Sequence, residues 1–337
     1  VLIERTAAPQ DRIGECLPGA ARPVLHELDV WTEIEAGPHR WEGGVISVWG
    51  RNEAVVQDAF VDPAGAARVL DRAAYEAALR RAAQRRGAEL IVGAVAAAAR
   101  RDGGPGWRIA LRDGRIVEAD FLVDAGGRAA RLARIAGRAR LCVADALVCR
   151  HIRAAALGEP GRFDAFRRIE AVRDGWWYAT TTPSGDRIIA FHTDADFPRA
   201  RRAATPEGFL AELPPNGPIA GLCARSEWTS ARLVAQSARS QWLSQAFGPD
   251  WAAVGDAAFA VDPLSSRGLF HAARCGLELG RSIDAGLGGD AGALARYGDL
   301  IAGLVAAYRA DARAAYASEP RFPDAPFWKR RRAARPG

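Results

Sequence analysis

Trp251-Ala-Ala-Val-Gly-Asp-Ala-Ala-Phe-Ala-Val-Asp-Pro-Leu-Ser-Ser-Arg-Gly268 is the stretch that decides how the chain is read. It predicts a short apolar strand ending at Gly255-Asp256, a loop carrying Asp262-Pro263, and a helix starting near Ser265–Gly268. Glycine at 255 lets backbone come close to a ligand, and the Asp256 carboxylate beside it suits a polyol hydroxyl. Pro263 pre-sets φ for a helix start, and Ser265 or Ser266 is placed to cap it. The free N–H groups there carry partial positive charge, which suits an electron-rich ring system. An ordinary strand, turn and helix would use the same residues, so the rest of the chain has to decide.

Composition sets bounds on that decision. The 337 residues can bury a large core, and 49% hydrophobic with 26% charged residues is ordinary for a globular protein. The net charge of +6 comes almost wholly from arginine, with Lys329 the only lysine. It therefore argues weakly for nucleic acid, and its dense run, Lys329-Arg-Arg-Arg332, reads as a solvated tail. Five cysteines at 16, 142, 149, 223 and 275 show no C-x-x-C and no paired spacing, against zinc, against a disulfide framework and for a reducing cytoplasm. No segment has the apolar length of a membrane span or the pattern of a signal peptide. Methionine is absent, even at position 1, so the chain reads as a processed product, a cloned piece or an incomplete reading frame.

In chain order, Val1-Leu-Ile-Glu4-Arg5 reads as the end of a buried strand closed by an acid. Asp11-Arg-Ile-Gly-Glu-Cys-Leu-Pro-Gly19 is a loop before a short helix through Leu25 and Leu28 to Trp31. Residues 40–62 read as strands, and Asp71 caps a helix with Tyr75 and Leu79 on one face, stopped by Gly87. Leu90-Ile-Val and Val95 form a strand, and a hairpin turns at Asp113-Gly114. Phe121-Leu-Val-Asp124-Ala-Gly126-Gly127 is a buried strand ending in glycines. Residues 141–195 read as sheet, including Gly175-Trp-Trp-Tyr178 and Arg187-Ile-Ile-Ala-Phe-His192. Tyr297, Ile301, Leu304 and Tyr308 mark a long amphipathic helix.

These motifs, in this order, resemble the FAD-dependent monooxygenases and tryptophan-halogenase-like flavin oxidoreductases with a p-hydroxybenzoate-hydroxylase-like fold. The resemblance implies an α/β fold: a doubly wound, Rossmann-like FAD-binding domain with an inserted β-sheet substrate domain and a C-terminal helix. It divides the chain into an FAD-binding domain (1–40, 67–140 and 241–290), a substrate domain (41–66 and 141–240) and a C-terminal helix with basic tail (291–337). The family's G-x-G-x-x-G on a first strand and helix is not found before Val1. The chain is therefore expected to start inside the second strand, lacking the first strand and Gly-rich turn, and to hold flavin weakly as it stands.

The resemblance also implies roles. Glu4 would meet the adenosine ribose, with Arg5 beside it in the cofactor set, and Asp256 with Gly255 the ribitol. Arg12, Gly14 and Glu15 lie on the loop running along the pyrophosphate and ring, serving either the flavin or the loop's own structure. Val95, Gly126, Pro263, Ser266 and Gly268 complete the cofactor set. Cys16 is a buried thiol or a point of covalent flavin attachment. Trp49, Trp176, Trp177 and His192 are candidates to line the substrate cavity, and no catalytic residue or metal site is assigned. The implied activity is hydroxylation of an electron-rich aromatic substrate, a small molecule or a peptide side chain, by a flavin hydroperoxide. Reduced flavin would come from NAD(P)H directly or from a partner reductase.

Halogenation is the alternative, and a non-catalytic fragment unable to hold FAD the third. Flavin halogenases of this kind need a lysine after the Arg-x-Gly-Glu loop, where this chain has none. They carry glutamate where this chain has Ser265, and their Trp-x-Trp-x-Ile-Pro strand is matched only by Trp176-Trp-Tyr-Ala.

Overall fold

Two parallel strand pairs organise the part of the molecule around the quoted stretch. In the computed structural model, which describes residues 1–9, 12–100, 106–159, 161–228 and 232–333, Leu2–Glu4 pairs in parallel with Leu90–Val92. Leu122–Asp124 pairs in parallel with Trp251–Ala253, and the two pairs belong to separate small sheets. Asp11, at the head of the Arg-x-Gly-Glu loop, lies outside the described residues.

The helix Arg72–Arg85 is capped as its sequence predicts: the Asp71 carboxylate accepts from the Ala74 N–H at 2.9 Å. Its buried residues Tyr75, Ala78 and Ala82 pack on Leu25, Trp31 and Ile34. Those three come from two short helices, Arg22–Glu27 and Trp31–Glu35, where the sequence predicts one. Asp29 breaks it by entering the left-handed region at φ 49°.

The helices Gly268–Leu287 and Ala293–Ala317 bury Cys275, Leu279, Tyr297 and Ile301 in one core with the strand Trp251–Ala253. Tyr297 donates its hydroxyl to the Ala253 carbonyl at 2.8 Å, pinning the long C-terminal helix to the strand that leads into the site.

Among the described residues the largest sheet has eight strands. Leu147–Ala156, Arg187–Asp194, Gly175–Thr181 and Phe166–Val172 form its antiparallel centre. Gly44–Val48 adds in parallel to Phe166–Val172. Trp176 pairs with His192 and Trp177 with Phe191, so successive tryptophans face opposite sides. Trp176 packs with Leu147, Tyr316 and Trp328, and Trp177 with Phe209, Ile219 and Leu222. With both faces covered, Arg187–Asp194 is buried at every position.

The basic run is the clearest correction to the sequence reading. Lys329–Arg332 belongs to a docked helix, Pro326–Arg332, with Phe327 and Trp328 fully buried. Arg331 reaches the buried Asp194 carboxylate at 2.7 Å, and Arg330 holds both Asp194 and Asp196. Fixed carboxylates on the sheet, and an apolar pair just before the basic run, tie it to the fold, while Lys329 and Arg330 remain exposed.

Candidate active site

The quoted stretch folds into two tight turns. Gly255 takes φ +59° at the start of a 3-10 turn, Gly255–Ala257, which leaves the Asp256 side chain partly exposed. Burial pushes the Asp256 carboxyl up, while the Arg128 guanidinium 3.4 Å away opposes that.

The second turn, Pro263–Ser265, is capped by Asp262, whose carboxylate accepts from the Leu264 N–H at 2.9 Å. This replaces the expected serine cap. Ser266 instead takes the left-handed φ of 51° and precedes the 20-residue helix beginning at Gly268. That helix start has no side-chain cap, so its first N–H groups lack a side-chain acceptor.

The Arg-x-Gly-Glu loop approaches this turn from the other side. Gly14 has φ +106°, where a Cβ would meet the Arg72 guanidinium at 2.9 Å. Arg72 fastens the loop through the Ile13 and Gly14 carbonyls. Arg12 pairs with Glu76 at 2.6 Å on the same helix. Glu15 is only 2% exposed, and neither carboxylate oxygen has a hydrogen-bond partner among the described residues. Burial pushes its carboxyl up to about 7.

Arg167, on the central strand Phe166–Val172, spans the gap between the two loops. One guanidinium nitrogen lies 3.1 Å from the Cys16 sulfur and 3.1 Å from the Ser266 hydroxyl. Glu42 stands 3.7 Å from its Nε, itself buried and pushed up by that burial. Burial also raises the Cys16 thiol to about 12, so it is held as a neutral thiol, and raises the Tyr178 hydroxyl on the next strand. Sequence reasoning missed Arg167, Glu42 and Tyr178. The available signal was the charge of Arg167 and Arg168 inside an otherwise sheet-like stretch.

Other cofactor candidates sit nearby or are already engaged. Glu4 bonds the Arg5 N–H at 2.8 Å and lies 3.3 Å from Arg80, while the Arg5 side chain is exposed. Val95 opens a strand three residues beyond the partner of Glu4 and packs on the main core. The Gly126 N–H is taken by Asp124 at 2.8 Å.

The four aromatic candidates pack in cores. Trp176 stacks on His192 at 3.7 Å and donates to the Tyr316 hydroxyl, which in turn donates to Asp262. Burial pushes His192 down to about 3, so the stacked ring is neutral. Trp49 donates to the Ala315 carbonyl, and Trp177 stacks on Phe191 in the opposite core.

On the far side of Asp262 lies a cavity of about 650 Å³, with Val143, Ser240, Tyr308 and Tyr316 among its walls. Burial and the Asp145 charge push the Asp262 carboxyl up to about 6. Among the described residues, no group of three or more His, Cys, Asp or Glu could hold a metal ion, and no helix is long and apolar enough to cross a membrane.

A family model described as tryptophan halogenase matches residues 50–195. Over that part of its length the chain is similar to the tryptophan-halogenase-like flavin oxidoreductases. It is 28% identical to the putative FAD-dependent oxidoreductase LodB of Marinomonas mediterranea, over 99% of this chain and 90% of that protein. Among solved structures it is similar to the peptidyl tryptophan dihydroxylase QhpG, at 24% identity and TM-score 0.75, covering 98% of this chain and 72% of that one. The myxobacterial chondrochloren halogenase CndH shares the fold at 21% identity and TM-score 0.78, over 99% and 80% of the two chains.

FAD is therefore the group to test against this site, and the residues fit it. The uncapped helix packs against both the Gly255 turn and the strand Cys16–Leu17 that follows Gly14 and Glu15, offering the donors, close backbone and acceptor that a planar polar ring needs.

Proposed function

We propose that the chain is an FAD-dependent monooxygenase that hydroxylates an electron-rich aromatic group. The observation that carries this reading is Arg167 bridging the two loops beside the unpartnered Glu15. Bound and reduced, FAD supplies the oxygen chemistry. Gly255 and Asp256 hold the ribitol, and the start of the helix at Gly268 faces the ring with partial positive charge. Arg167 adds a full positive charge from the sheet side, where charge develops during reduction and oxygen transfer. Glu15, held near neutral pH between its two protonation states, is suited to take or give a proton beside the ring.

Several features favour oxygenation over halogenation. The only lysine, Lys329, pairs with Asp324 at 3.1 Å on the docked C-terminal helix. Arginine does not replace a lysine amine, because its charge is delocalised and its proton is retained at working pH. The similarity to a peptidyl tryptophan dihydroxylase makes an indole side chain the first substrate to try.

The test combines FAD titration with product analysis. Enzyme, reduced FAD, O₂ and candidate indoles or phenols are incubated with and without chloride and bromide, and products are weighed by mass spectrometry. Gain of oxygen indifferent to halide is expected. A halogenated product dependent on enzyme and halide would overturn the reading.

A further inference from the structure

The strand that closes the Arg-x-Gly-Glu loop belongs to a small sheet with two unlike faces. Cys16–Leu17, Arg68–Val69 and Arg40–Trp41 pair in that order, with Cys16 opposite Val69 and Arg40, and Leu17 opposite Arg68 and Trp41. Residues opposite one another share a face, and neighbours along a strand do not. Cys16 turns to Arg167 and the slot, so Leu17, Arg68 and Trp41 lie on the side away from it.

That far face borders a second cavity, of about 60 Å³, walled by Arg22, Trp31, Trp41 and Arg68 and by the backbone segments 17–19 and 64–66. Glycine at 19 lets the two segments close together, since a Cβ there would meet the Ala64 and Gly65 carbonyls. Trp31 is 4% and Arg68 6% exposed, while Trp41 is half-exposed and borders the cavity toward solvent. The Arg68 guanidinium lies 3.8 Å from the centre of the Trp41 ring and 5.6 Å from that of Trp31, and Arg22 lies 5.3 Å from the Trp31 ring.

The charges here do not balance. Among the described residues Arg68 has one acidic partner, Glu35, 3.5 Å away and half-exposed. Arg22 stands close enough to oppose the Arg68 charge, and its own Nε reaches His26 rather than an acid, at 3.5 Å. Two donors are also left over. Trp31 Nε1 and Arg68 Nε are buried with no hydrogen-bond partner among the described residues. Neither group accepts hydrogen bonds, so an acceptor is needed to complete them, and the surplus positive charge favours an anion. The cavity has room for a few water molecules or one oxyanion head, but not for a ring.

We propose that this cavity binds a small oxyanion, a carboxylate or inorganic phosphate, whose oxygens accept from Trp31 Nε1 and the Arg68 guanidinium. The Trp41 ring stacks on that guanidinium and fixes its plane, which leaves its N–H edge to the anion. The site stands back to back with the slot, across the strand Cys16–Leu17, and needs no flavin.

The test uses the whole chain without flavin, isotope-labelled at its 10 tryptophan indoles. The Trp31 N–H resonance is identified by its loss in Trp31→Phe, which keeps an aromatic ring in place. Sodium acetate or sodium phosphate then replaces sodium chloride at constant pH and ionic strength. The Trp31 resonance is expected to shift and saturate, with apparent affinity at least about tenfold weaker in Arg68→Gln, the worth of one charge-assisted hydrogen bond. Saturation by acetate alone identifies a carboxylate site, and saturation by phosphate alone a phosphate site. No shift, a shift that never saturates, one shared equally by the other indoles, or an unchanged affinity in R68Q would overturn the proposal. Should R68Q fail to fold, exchange of the Trp31 indole hydrogen with solvent in the natural protein decides. Saturating anion should slow it, and an unchanged rate refutes the site.

Discussion

The slot between the two loops and the cavity beyond Asp262 are both lined by charged groups, but they settle those charges differently. Around the cavity the described carboxylates all have donors: Asp194 has two arginines, Asp196 has Arg330, and Asp145 has two backbone N–H groups. In the slot, Glu15 has no hydrogen-bond partner among the described residues, and Glu42 Oε1 and Arg167 Nε meet as an ion pair at 3.7 Å without a hydrogen bond. Unpaired buried polar atoms cost stability, so a fold retains them where something else completes them. The slot thus suits a ligand that brings its own polar atoms, whereas the cavity's carboxylates are paired before any ligand arrives and Arg331 Nε is a buried atom left without a hydrogen bond.

The comparison breaks most visibly at Asp194. Asp194→Ala leaves Arg331 buried beside no carboxylate at that position, and the expected cost is about 3–5 kcal/mol, read from urea unfolding. A loss below about 1 kcal/mol would mean that this charge is not settled by pairing.

Glu15 should behave in the opposite sense. Its folded pKa of about 7 lies above the ordinary glutamate value of 4.5, so from pH 4.5 to 7 the folded state binds the extra proton. Stability from this group is therefore present at low pH, falls as pH rises through that window, and levels off above it. The drop is about 3 kcal/mol at most. Glu15→Gln should flatten it, as measured by unfolding midpoints at pH 5 and pH 8. An identical pH dependence in both proteins would remove Glu15 from the slot's account.

Asp256→Ala sharpens the ligand side. The lost charge-assisted hydrogen bond is worth about 1.5–3 kcal/mol, or about ten- to a hundred-fold in FAD affinity. Superimposable titrations of natural and variant protein would refute the ribitol assignment. The smallest effect is at Asp71, which belongs to neither region. Asp71→Ala should cost about 1 kcal/mol of stability through the lost helix cap and leave FAD affinity within error.

Much of this was legible in the sequence because it is local. The Asp71 cap, the Gly114 hairpin turn and the strand ending at Gly255 follow from residues within a few positions of one another. The chemistry of the slot is not local. Arg167 meets Cys16 and Ser266 across separations of 151 and 99 residues, and no periodicity carries that information. The paired tryptophans show the same limit: strand alternation puts them on opposite faces, but only the packing of Phe209 and Trp328 shows that both faces are covered. The docking of the basic run is not legible because its charge is visible in sequence while Asp194, which pairs with Arg330 and Arg331, lies more than 130 residues away.

Among the described residues Leu141–Val143 is the outer strand of a three-stranded sheet, and its open edge has a consequence for the protein's life at high concentration. An unpaired edge recruits any strand, including the same edge of another copy. Here the exposed run is three residues long, Leu141–Val143, with the exposed Arg140 before it and Asp145 two residues beyond. Shortness and flanking charge act as gatekeepers against self-association.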